Sequence, residues 1–249
     1  DSSIVLLDAQ QKIVEHLPIC GDSLLSAESF LLRIKEKMAQ VIGLVDAEKV
    51  LGVGAALPGV LDFTSGQVFS SQMFPQFEFN LKDFFRKHFA LPSIQNNISH
   101  IYALAEKHFG AAADMDHFLT IDEGLGMGIF CNGELYRGWQ GCAGELGYMK
   151  LYDSQETGPD GRSGLLYDKA IFGRIGEKIS EVRKNGTHLA IQEPRAGDHH
   201  ISPDEVVKAV EGGSMFLAQL LSEVYSSIGD AAVNVAYLLN PQAIFLPAW

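Results

Sequence analysis

Apolar and polar residues alternate along the chain with two different periods, which predict strands and helices in turn. Two β-rich runs, Ile4–Leu7 and Lys12–Leu17, lie on either side of a polar turn and predict a β-hairpin. Ser26 can cap a helix whose apolar positions recur about every 3.6 residues as far as Ile42. The apolar run Val50–Ala56 then predicts a buried strand that ends at a Pro-Gly turn.

The next stretch predicts two helices separated by a short strand. Asn80 can cap a helix that continues through Phe89 and is stopped by Pro92. Ser93–Gln95 predicts a brief strand, and a helix over Ile98–Phe109 follows it and is closed by a glycine. The order strand, helix, strand is thus repeated along the first half of the chain.

Strands return in the middle of the chain, and the final third is mainly helical. The runs Phe118–Ile121, Ile129–Phe130 and Leu135–Tyr136 predict three strands, and Asn132-Gly133 between the last two is a strong signal for a two-residue hairpin. Because strands alternate with helices along the whole chain, the sequence predicts the α/β class.

Four further patterns define the C-terminal part. Leu165–Lys184 has helical periodicity, and Ser202-Pro203-Asp204-Glu205 supplies an N-cap, an N1 proline and an N3 acid, which together form a capping box. A long helix is expected from about Met215 to Leu239. A last strand is expected over Ala243–Leu246.

Composition and charge restrict the classes of function. The 249 residues are 47% hydrophobic and 20% charged, which is typical of a packed globular protein, and the net charge of −12 argues against direct binding of nucleic acid or of an anionic membrane. No apolar run approaches the ~20 residues that span a bilayer, and no signal peptide opens the chain. Three scattered cysteines predict no disulfide framework, so the reducing cytoplasm is the expected location.

Both ends of the chain suggest a piece of a longer protein. The sequence starts at Asp1 without a methionine, immediately before a strand-like run, and it stops at Trp249 directly after another. Natural domains seldom end on the last residues of a buried strand. We therefore expect a fold that is truncated at both ends.

A glycine run, Asp122–Gly128, is the most conspicuous local motif. Glycine-rich turns allow backbone N–H groups to close on a phosphate, but the spacing here matches neither the dinucleotide fingerprint nor the P-loop. Asp122 and Glu123 also place two carboxylates where a phosphate would bind, and like charges at ~4 Å repel by ~1 kcal/mol or more. Taken locally, a glycine-rich β-turn is favoured over a working phosphate loop.

Several motifs occur in a characteristic order along nearly the whole chain: Leu57-Pro58-Gly59, Asn96-Asn97, the glycine run with its Asn-Gly hairpin, Tyr136-Arg137-Gly138, Ala143-Gly144-Glu145-Leu146-Gly147 and Leu239–Leu246. This series resembles the ROK family of sugar kinases and sugar-responsive repressors. The resemblance implies a two-lobed, actin-like (ribonuclease-H-like) ATPase fold. Its lobes are expected over 1–94 and 95–249, and the family likeness implies a homodimer or higher homo-oligomer.

The departures from the family pattern favour a protein without kinase activity. Family kinases usually carry an aspartate as general base at the position of Asn97, and an amide cannot take a proton from a sugar hydroxyl at neutral pH. Where the kinases show Gly-Thr-Gly in the second phosphate loop, this chain has Asp122-Glu123-Gly124. The usual Gly-Gly after the last strand appears as Pro247-Ala248. The sequence therefore predicts no nucleotide cofactor.

The family's zinc site is altered as well. Tyr148 stands at the position of the usual histidine, and the loop Glu156–Gly164, which matches the cysteine knuckle, contains no cysteine. Cys131 and Cys142 lie elsewhere in the chain. We expect no structural metal, and we expect turn residues to hold the loop. The family's acid after the knuckle corresponds to Tyr167 or its neighbour.

Five residues form the candidate sugar site that the resemblance implies: Gly59, Asn96, Asn97, Glu145 and Tyr148. All of them except Glu145 can instead have a purely structural role. The asparagines can simply cap a helix and make a turn, Tyr148 can be a packing residue, and Gly59 can do no more than form the turn. Glu145 is the strongest candidate, because a carboxylate accepts two sugar hydroxyls and its burial without such partners is costly.

The sequence leaves Trp139 with two interpretations. It can stack on a sugar face, or it can fill a lobe or dimer interface.

The leading interpretation is the effector domain of a ROK-type transcriptional regulator. A sugar or sugar phosphate would bind between the lobes through the five residues, and lobe closure would change operator affinity in an attached domain. In this view DNA is contacted only by an N-terminal helix-turn-helix domain that is missing from the chain, and the membrane is not a partner. The alternatives are an ATP- and Mg²⁺-dependent kinase of hexoses or N-acetylhexosamines, and a scaffold that only oligomerises.

Overall fold

The computed structural model describes residues 2–19, 26–70, 79–152, 163–170, 176, 178–179, 181–182 and 203–246. The chain divides into two compact units, Asp1–Ile98 and Ser99–Trp249. In the first unit the helices and strands are β1 (Ser3–Leu7), β2 (Ile13–Pro18), α1 (Ala27–Ile42), β3 (Val53–Leu57), β4 (Val60–Asp62), β5 (Gln67–Ser70), β6 (Phe79–Asn80), α2 (Leu81–Phe89) and β7 (Ser93–Asn97). A 3-10 turn covers Ala47–Lys49.

The second unit continues with α3 and carries one mixed sheet. Its elements are α3 (Ile98–Phe109), β8 (Phe118–Ile121), β9 (Met127–Cys131), β10 (Glu134–Leu135), a 3-10 turn (Leu146–Tyr148), α4 (Leu166–Ala170), α5 (Pro203–Glu211), α6 (Met215–Leu239) and β11 (Ala243–Phe245). The strand order in the sheet is β10-β9-β8-β11, with β11 parallel to β8 and the other pairs antiparallel.

The first unit is built from three small sheets. β1 and β2 pair as an antiparallel hairpin, β3 and β7 pair in parallel, and β4, β5 and β6 form an antiparallel sheet. One apolar cluster joins them to α1 and α2; it contains Phe30, Ile34, Met38, Leu57, Leu61, Val68, Leu81 and Phe85. The parallel β3–β7 pair matters most for function, because it brings the ends of both strands to one edge.

The helix caps in this unit follow the sequence signals. Ser26 Oγ accepts a hydrogen bond from Ser29 N at 3.2 Å, which confirms the predicted cap of α1. Asn80 Oδ1 accepts from Asp83 N at 2.8 Å at the start of α2. That helix ends at Phe89 because Ala90 adopts a left-handed conformation with φ 54°, so the termination precedes the predicted stop at Pro92.

The strand predicted from the run Val50–Ala56 begins later than expected but ends at the predicted turn. β3 begins at Val53 and continues to Leu57, directly before Pro58-Gly59, and only Leu57 is fully buried, while the residues before it alternate between half-buried and exposed. Leu51 is 86% exposed. Val53 N donates to Pro92 O at 2.9 Å, so the partner strand determines where β3 begins.

The hairpin and the long helix of the second unit match their predictions. Asn132 and Gly133 have φ 55° and 76°, as a two-residue turn between β9 and β10 requires. α6 spans Met215–Leu239 and ends at Asn240, which is left-handed with φ 46°. One face of α6 is buried against the sheet, α4 and α5 through Leu217, Leu220, Val224, Ile228, Ala231 and Val235.

Gln242 ties the last strand to the first strand of this sheet. Its Oε1 accepts from Asp116 N at 2.9 Å and from His117 N at 3.0 Å, and its own N donates to His117 O at 2.7 Å. Phe118 stacks on Phe130 of β9 with ring centroids 4.6 Å apart. β11 is therefore attached to β8 and the residues before it by side-chain as well as backbone hydrogen bonds.

Several predictions fall partly or wholly on residues outside the described ranges. The predicted helix over Leu165–Lys184 is seen as α4 and as helical residues at 176, 178–179 and 181–182. α5 begins at Pro203, while Ser202, the cap predicted for it, lies outside the described residues. Cys20, most of the loop Glu156–Gly164 and the pair Pro247-Ala248 are also outside. Within the described part of the chain, no helix combines the length and the apolarity needed to cross a membrane.

Candidate functional site

The paired strands β3 and β7 place Gly59 and both asparagines at one edge. In the parallel register Ala56 lies opposite Asn96 and Leu57 opposite Asn97. Asn97 Nδ2 donates to Gly59 O at 2.8 Å, and Asn97 N donates to Asn96 Oδ1 at 3.0 Å. The structure thus brings three of the five predicted site residues together at the carboxyl ends of two parallel strands, which is where α/β sheets bind ligands.

The backbone conformation at position 59 requires a glycine. Its φ of 121° is strained for any residue with a Cβ, and the resulting turn points its carbonyl oxygen at the Asn97 amide. Asn96 and Asn97 are the last two residues of β7, and α3 starts immediately after them. Asn96 is 7% exposed and Asn97 is half-buried. Asn96 pairs with Ala56 within the β3–β7 sheet, and whether either asparagine contacts a sugar stays a prediction.

The glycine run in the second unit is closed by its own aspartate. Asp122 Oδ1 accepts from Gly124 N at 2.8 Å and from Gly126 N at 3.1 Å. The backbone closes the same turn, because Asp122 N donates to Gly126 O at 2.9 Å and Leu125 N donates to Asp122 O at 3.0 Å. A carboxylate thus occupies the amides that a phosphate would need, so the residues present do not fit a nucleotide phosphate.

α3 packs directly on this loop. A Cβ added at Gly126 would overlap Ser99 Oγ, and one added at Gly128 would overlap Ala103 Cβ and lie 2.7 Å from Thr120 Oγ1. The glycines therefore let the first turns of α3 lie against the loop and β9 without a gap. Helix contact, rather than phosphate access, explains two of the three glycines.

Two backbone hydrogen bonds join the Glu145 segment to the glycine loop. Met127 N donates to Gly144 O at 2.7 Å, and Gly147 N donates to Leu125 O at 2.8 Å. Gly144 has φ 96°, and a Cβ there would overlap the Met127 carbonyl oxygen. Glu145 lies between these two attachments, so its backbone is held beside the loop that carries Asp122.

The electrostatics around Glu145 are dominated by carboxylates. Burial, and then the negative charge of Asp122, raise the pKa of the half-buried Glu145 carboxyl. Burial, followed by the charges of Glu123 and Asp122, raises the pKa of the Tyr102 hydroxyl on α3. Burial and then Glu145 raise the pKa of the Cys142 thiol. The pKa of each of these groups is raised in part by a neighbouring carboxylate, so the region is anionic.

Tyr148 stacks on a second tyrosine. Its ring is parallel to that of Tyr167 within 2°, with centroids 6.1 Å apart, and Tyr148 is 39% exposed. Burial, and then Tyr148, raise the pKa of the Tyr167 hydroxyl. The family resemblance implies a histidine at the position of Tyr148 and an acid at Tyr167 or its neighbour. Whether Tyr148 contacts a sugar stays a prediction.

His100 is a site-supporting residue that sequence analysis missed. It is 2% exposed on α3, and its Nε2 lies 3.3 Å from Ala143 O, beside the Glu145 segment. Burial lowers the pKa of His100, against the opposing effect of the Ala143 carbonyl, and the charge of Arg137 lowers it further. The one sequence signal for this role is a polar residue on the buried face of a predicted helix. The sequence does not indicate its hydrogen-bond partner, which lies 43 residues away.

No group of three or more metal-ligating side chains lies within the described residues. Cys131 and Cys142 are both free thiols. The predicted absence of zinc stays a prediction, because most of the loop concerned lies outside those residues. Trp139 is 96% exposed, so it does not fill the core of its own unit.

The chain is similar to known proteins of one family. The family model described as the ROK family matches residues 22–247. The chain belongs to the ROK family. A xylose repressor of Caldicellulosiruptor bescii is 26% identical over 199 residues, which cover 79% of this chain and 50% of the repressor. A β-glucoside kinase of Listeria monocytogenes is 30% identical over 208 residues, which cover 82% of this chain and 66% of the kinase.

A solved structure supports the fold of this ROK chain. The crystal structure of a ROK family transcriptional regulator, described as a homologue of the E. coli MLC protein, matches with a TM-score of 0.79 at 22% identity. The match covers 98% of this chain and 61% of that structure. The predicted actin-like α/β fold is therefore confirmed. The chain spans about half the length of the xylose repressors that it matches, and both repressors and sugar kinases are among its relatives.

Proposed function

We propose that this chain is the sugar-sensing, effector-binding domain of a ROK-type transcriptional repressor and that it has no kinase activity. The observation that carries the proposal is the glycine loop, in which the Asp122 carboxylate accepts the amides of Gly124 and Gly126. A phosphate would have to displace this carboxylate or share its amides with a second anion, and both are unfavourable. The loop is thereby stable without a nucleotide.

The sugar-binding edge supports the same conclusion. The Asn97 amide donates to the Gly59 carbonyl, so its Oδ1 is oriented by that bond and serves as an acceptor for a sugar hydroxyl. An amide holds a hydroxyl without removing its proton, because it has no usable basicity at neutral pH. In the second unit, Glu145 is proposed as a partner for sugar hydroxyls, and the half-exposed Tyr148 ring as an apolar contact in the same segment.

The regulatory output is proposed to reside outside this chain. A net charge of −12 does not favour contact with DNA phosphates, so operator binding is assigned to a separate helix-turn-helix domain. The xylose repressor that matches is about twice as long as the matched region, which leaves room for such a domain in a full-length relative. Sugar binding would change operator affinity through the assembly of two or more copies in the cytoplasm.

The absence of kinase activity is tested by ADP release. With ATP, Mg²⁺ and a panel of hexoses and N-acetylhexosamines, we expect no sugar-dependent ADP above the rate without protein. The physical reason is the pair of changes at Asn97 and Asp122, which remove the base and fill the phosphate amides. A ROK glucokinase assayed in parallel is the positive control.

One outcome would establish the kinase alternative instead. Sugar-dependent ADP release that disappears in Glu145→Ala would show that the site turns over substrate, and the repressor proposal would then be abandoned. The 30% identity to a β-glucoside kinase makes this the rival worth excluding first.

A further inference from the structure

The Asp122 carboxylate is only half satisfied within its loop. Oδ1 accepts two backbone amides, whereas Oδ2 is buried and has no hydrogen-bond partner among the described residues. The whole side chain is 8% exposed. A buried carboxylate oxygen without a donor is costly, and in native proteins such a group is explained by a bound water, an ion, a ligand or a catalytic role.

A second carboxylate is held next to it. The bonds Met127 N to Gly144 O and Gly147 N to Leu125 O fasten the Glu145 segment to the Asp122 loop. Glu123 adds a third negative charge at the same loop, and its effect reaches the Tyr102 hydroxyl. Because backbone bonds hold the two segments together, the three carboxylates are carried by neighbouring stretches of chain.

The aromatic residues at the site also favour a positively charged ligand. Tyr148 follows Glu145 by three residues, is partly exposed and lies parallel to Tyr167. The faces of aromatic rings carry negative potential and attract ammonium groups within about 6 Å of the ring centre. This observation is independent of the carboxylates, and it too disfavours an anionic ligand.

We propose that the ligand is an unphosphorylated amino sugar, a hexosamine whose protonated amine is attracted by the Asp122 and Glu145 carboxylates. This inference rests on the proposed sugar-sensing function and refines it, because a sugar or a sugar phosphate was left open by the sequence. A phosphate group would add two negative charges to a site that already holds three. A neutral sugar gains the hydroxyl contacts but leaves the carboxylate charges uncompensated.

The test is calorimetric titration of the chain with four probes of matched skeleton: glucosamine, N-acetylglucosamine, glucose and glucosamine 6-phosphate. We expect glucosamine to bind at least about tenfold more tightly than glucose at low salt, which equals about 1.4 kcal/mol. N-acetylglucosamine has the same skeleton without the charge and should lose this advantage. The ratio should shrink as salt is raised, since the attraction is electrostatic.

A matched pair of variants assigns the effect to Asp122. Asp122→Asn keeps the Oδ1 acceptor for the glycine amides but removes the charge, so glucosamine and glucose should then bind within about threefold of each other. Glu134→Gln removes an exposed carboxylate on β10 and should leave the ratio unchanged. The salt series on the unaltered chain tests the same point if Asp122→Asn folds poorly.

The possible outcomes separate the two proposals. If sugars bind but glucosamine is no tighter than glucose, or the 6-phosphate is tighter, the charge inference is overturned while sugar sensing stands. If none of the four probes nor a wider panel of hexoses and pentoses binds, sugar sensing itself is overturned and this inference falls with it.

Discussion

Gly144→Ala is expected to destabilise the second unit more than any other single methyl addition in the Glu145 segment. A Cβ at this position would overlap the Met127 carbonyl oxygen, which is backbone and cannot rotate away. The φ of 96° adds strain for any residue other than glycine. Together the overlap and the strain should cost ~3 kcal/mol or more, equivalent to a fall in Tm of about 6–12 °C for a chain of this size.

Gly229→Ala is the matched control. Gly229 lies inside α6, and an added Cβ there would have no atom within 4 Å apart from the neighbouring backbone of its own helix. Alanine favours the helix by about 0.5–1 kcal/mol, so this variant should melt slightly higher than the parent. Thermal unfolding followed by circular dichroism measures both. A Gly144→Ala protein with an unchanged Tm would contradict the bond between Met127 and Gly144 that holds the site.

Glu145→Gln is expected to weaken sugar binding and at the same time to stabilise the empty protein. Hydrogen bonds to a charged group contribute about 1.5–3 kcal/mol, so loss of the carboxylate should weaken sugar binding by about 10- to 100-fold. Without ligand the carboxylate is partly buried, and its burial and the negative charge of Asp122 raise its pKa. Replacing it by a neutral amide of the same shape removes that repulsion, and the free energy of unfolding at neutral pH should rise by up to about 1 kcal/mol.

The direction of the pH dependence follows from the raised pKa of Glu145. In the unfolded chain the pKa of this carboxyl is the ordinary glutamate value of about 4.5, and in the folded protein its pKa is higher. The folded state therefore binds more protons, and stability associated with Glu145 is fully present below pH 4.5 and is lost as the pH rises through the folded pKa. Denaturant unfolding of both proteins should show the variant more stable at pH 7.5 and equal to the parent at pH 4. A variant that is less stable at pH 7.5 would mean that Glu145 is satisfied without ligand.

Elements with a local signal were predictable from the sequence. Asn132-Gly133 specifies its own hairpin, and the pattern from Met215 to Leu239 specifies a helix of the observed length. β3 was misplaced because Val53 begins pairing where Pro92 of another segment ends. A run of apolar residues contains no information about that partner.

In the candidate site, too, features set by local sequence are predictable and contacts between distant residues are not. Gly59 and Asn97 were predicted as separate candidates, but the bond between them joins residues 38 apart and was invisible in the sequence. The sequence predicts that the carboxylates of Asp122 and Glu123 repel a phosphate, but it does not predict that Asp122 accepts the loop amides itself. Asp122 accepts these amides within a turn in which Leu125 adopts a left-handed conformation with φ 61°. Leucine rarely adopts this conformation, and no sequence pattern predicts it.

The attachment of β11 to β8 makes the second unit one long closed loop of chain. Gln242 contacts Asp116 across 126 residues, and the glycine run, the Glu145 segment and α6 all lie between those two points. Contacts of such separation form late and break as a unit, because nothing is gained until the whole loop has closed. Damage to the short final strand should therefore loosen the glycine run and the Glu145 segment together with the sheet, although Ala243–Phe245 contains none of their residues.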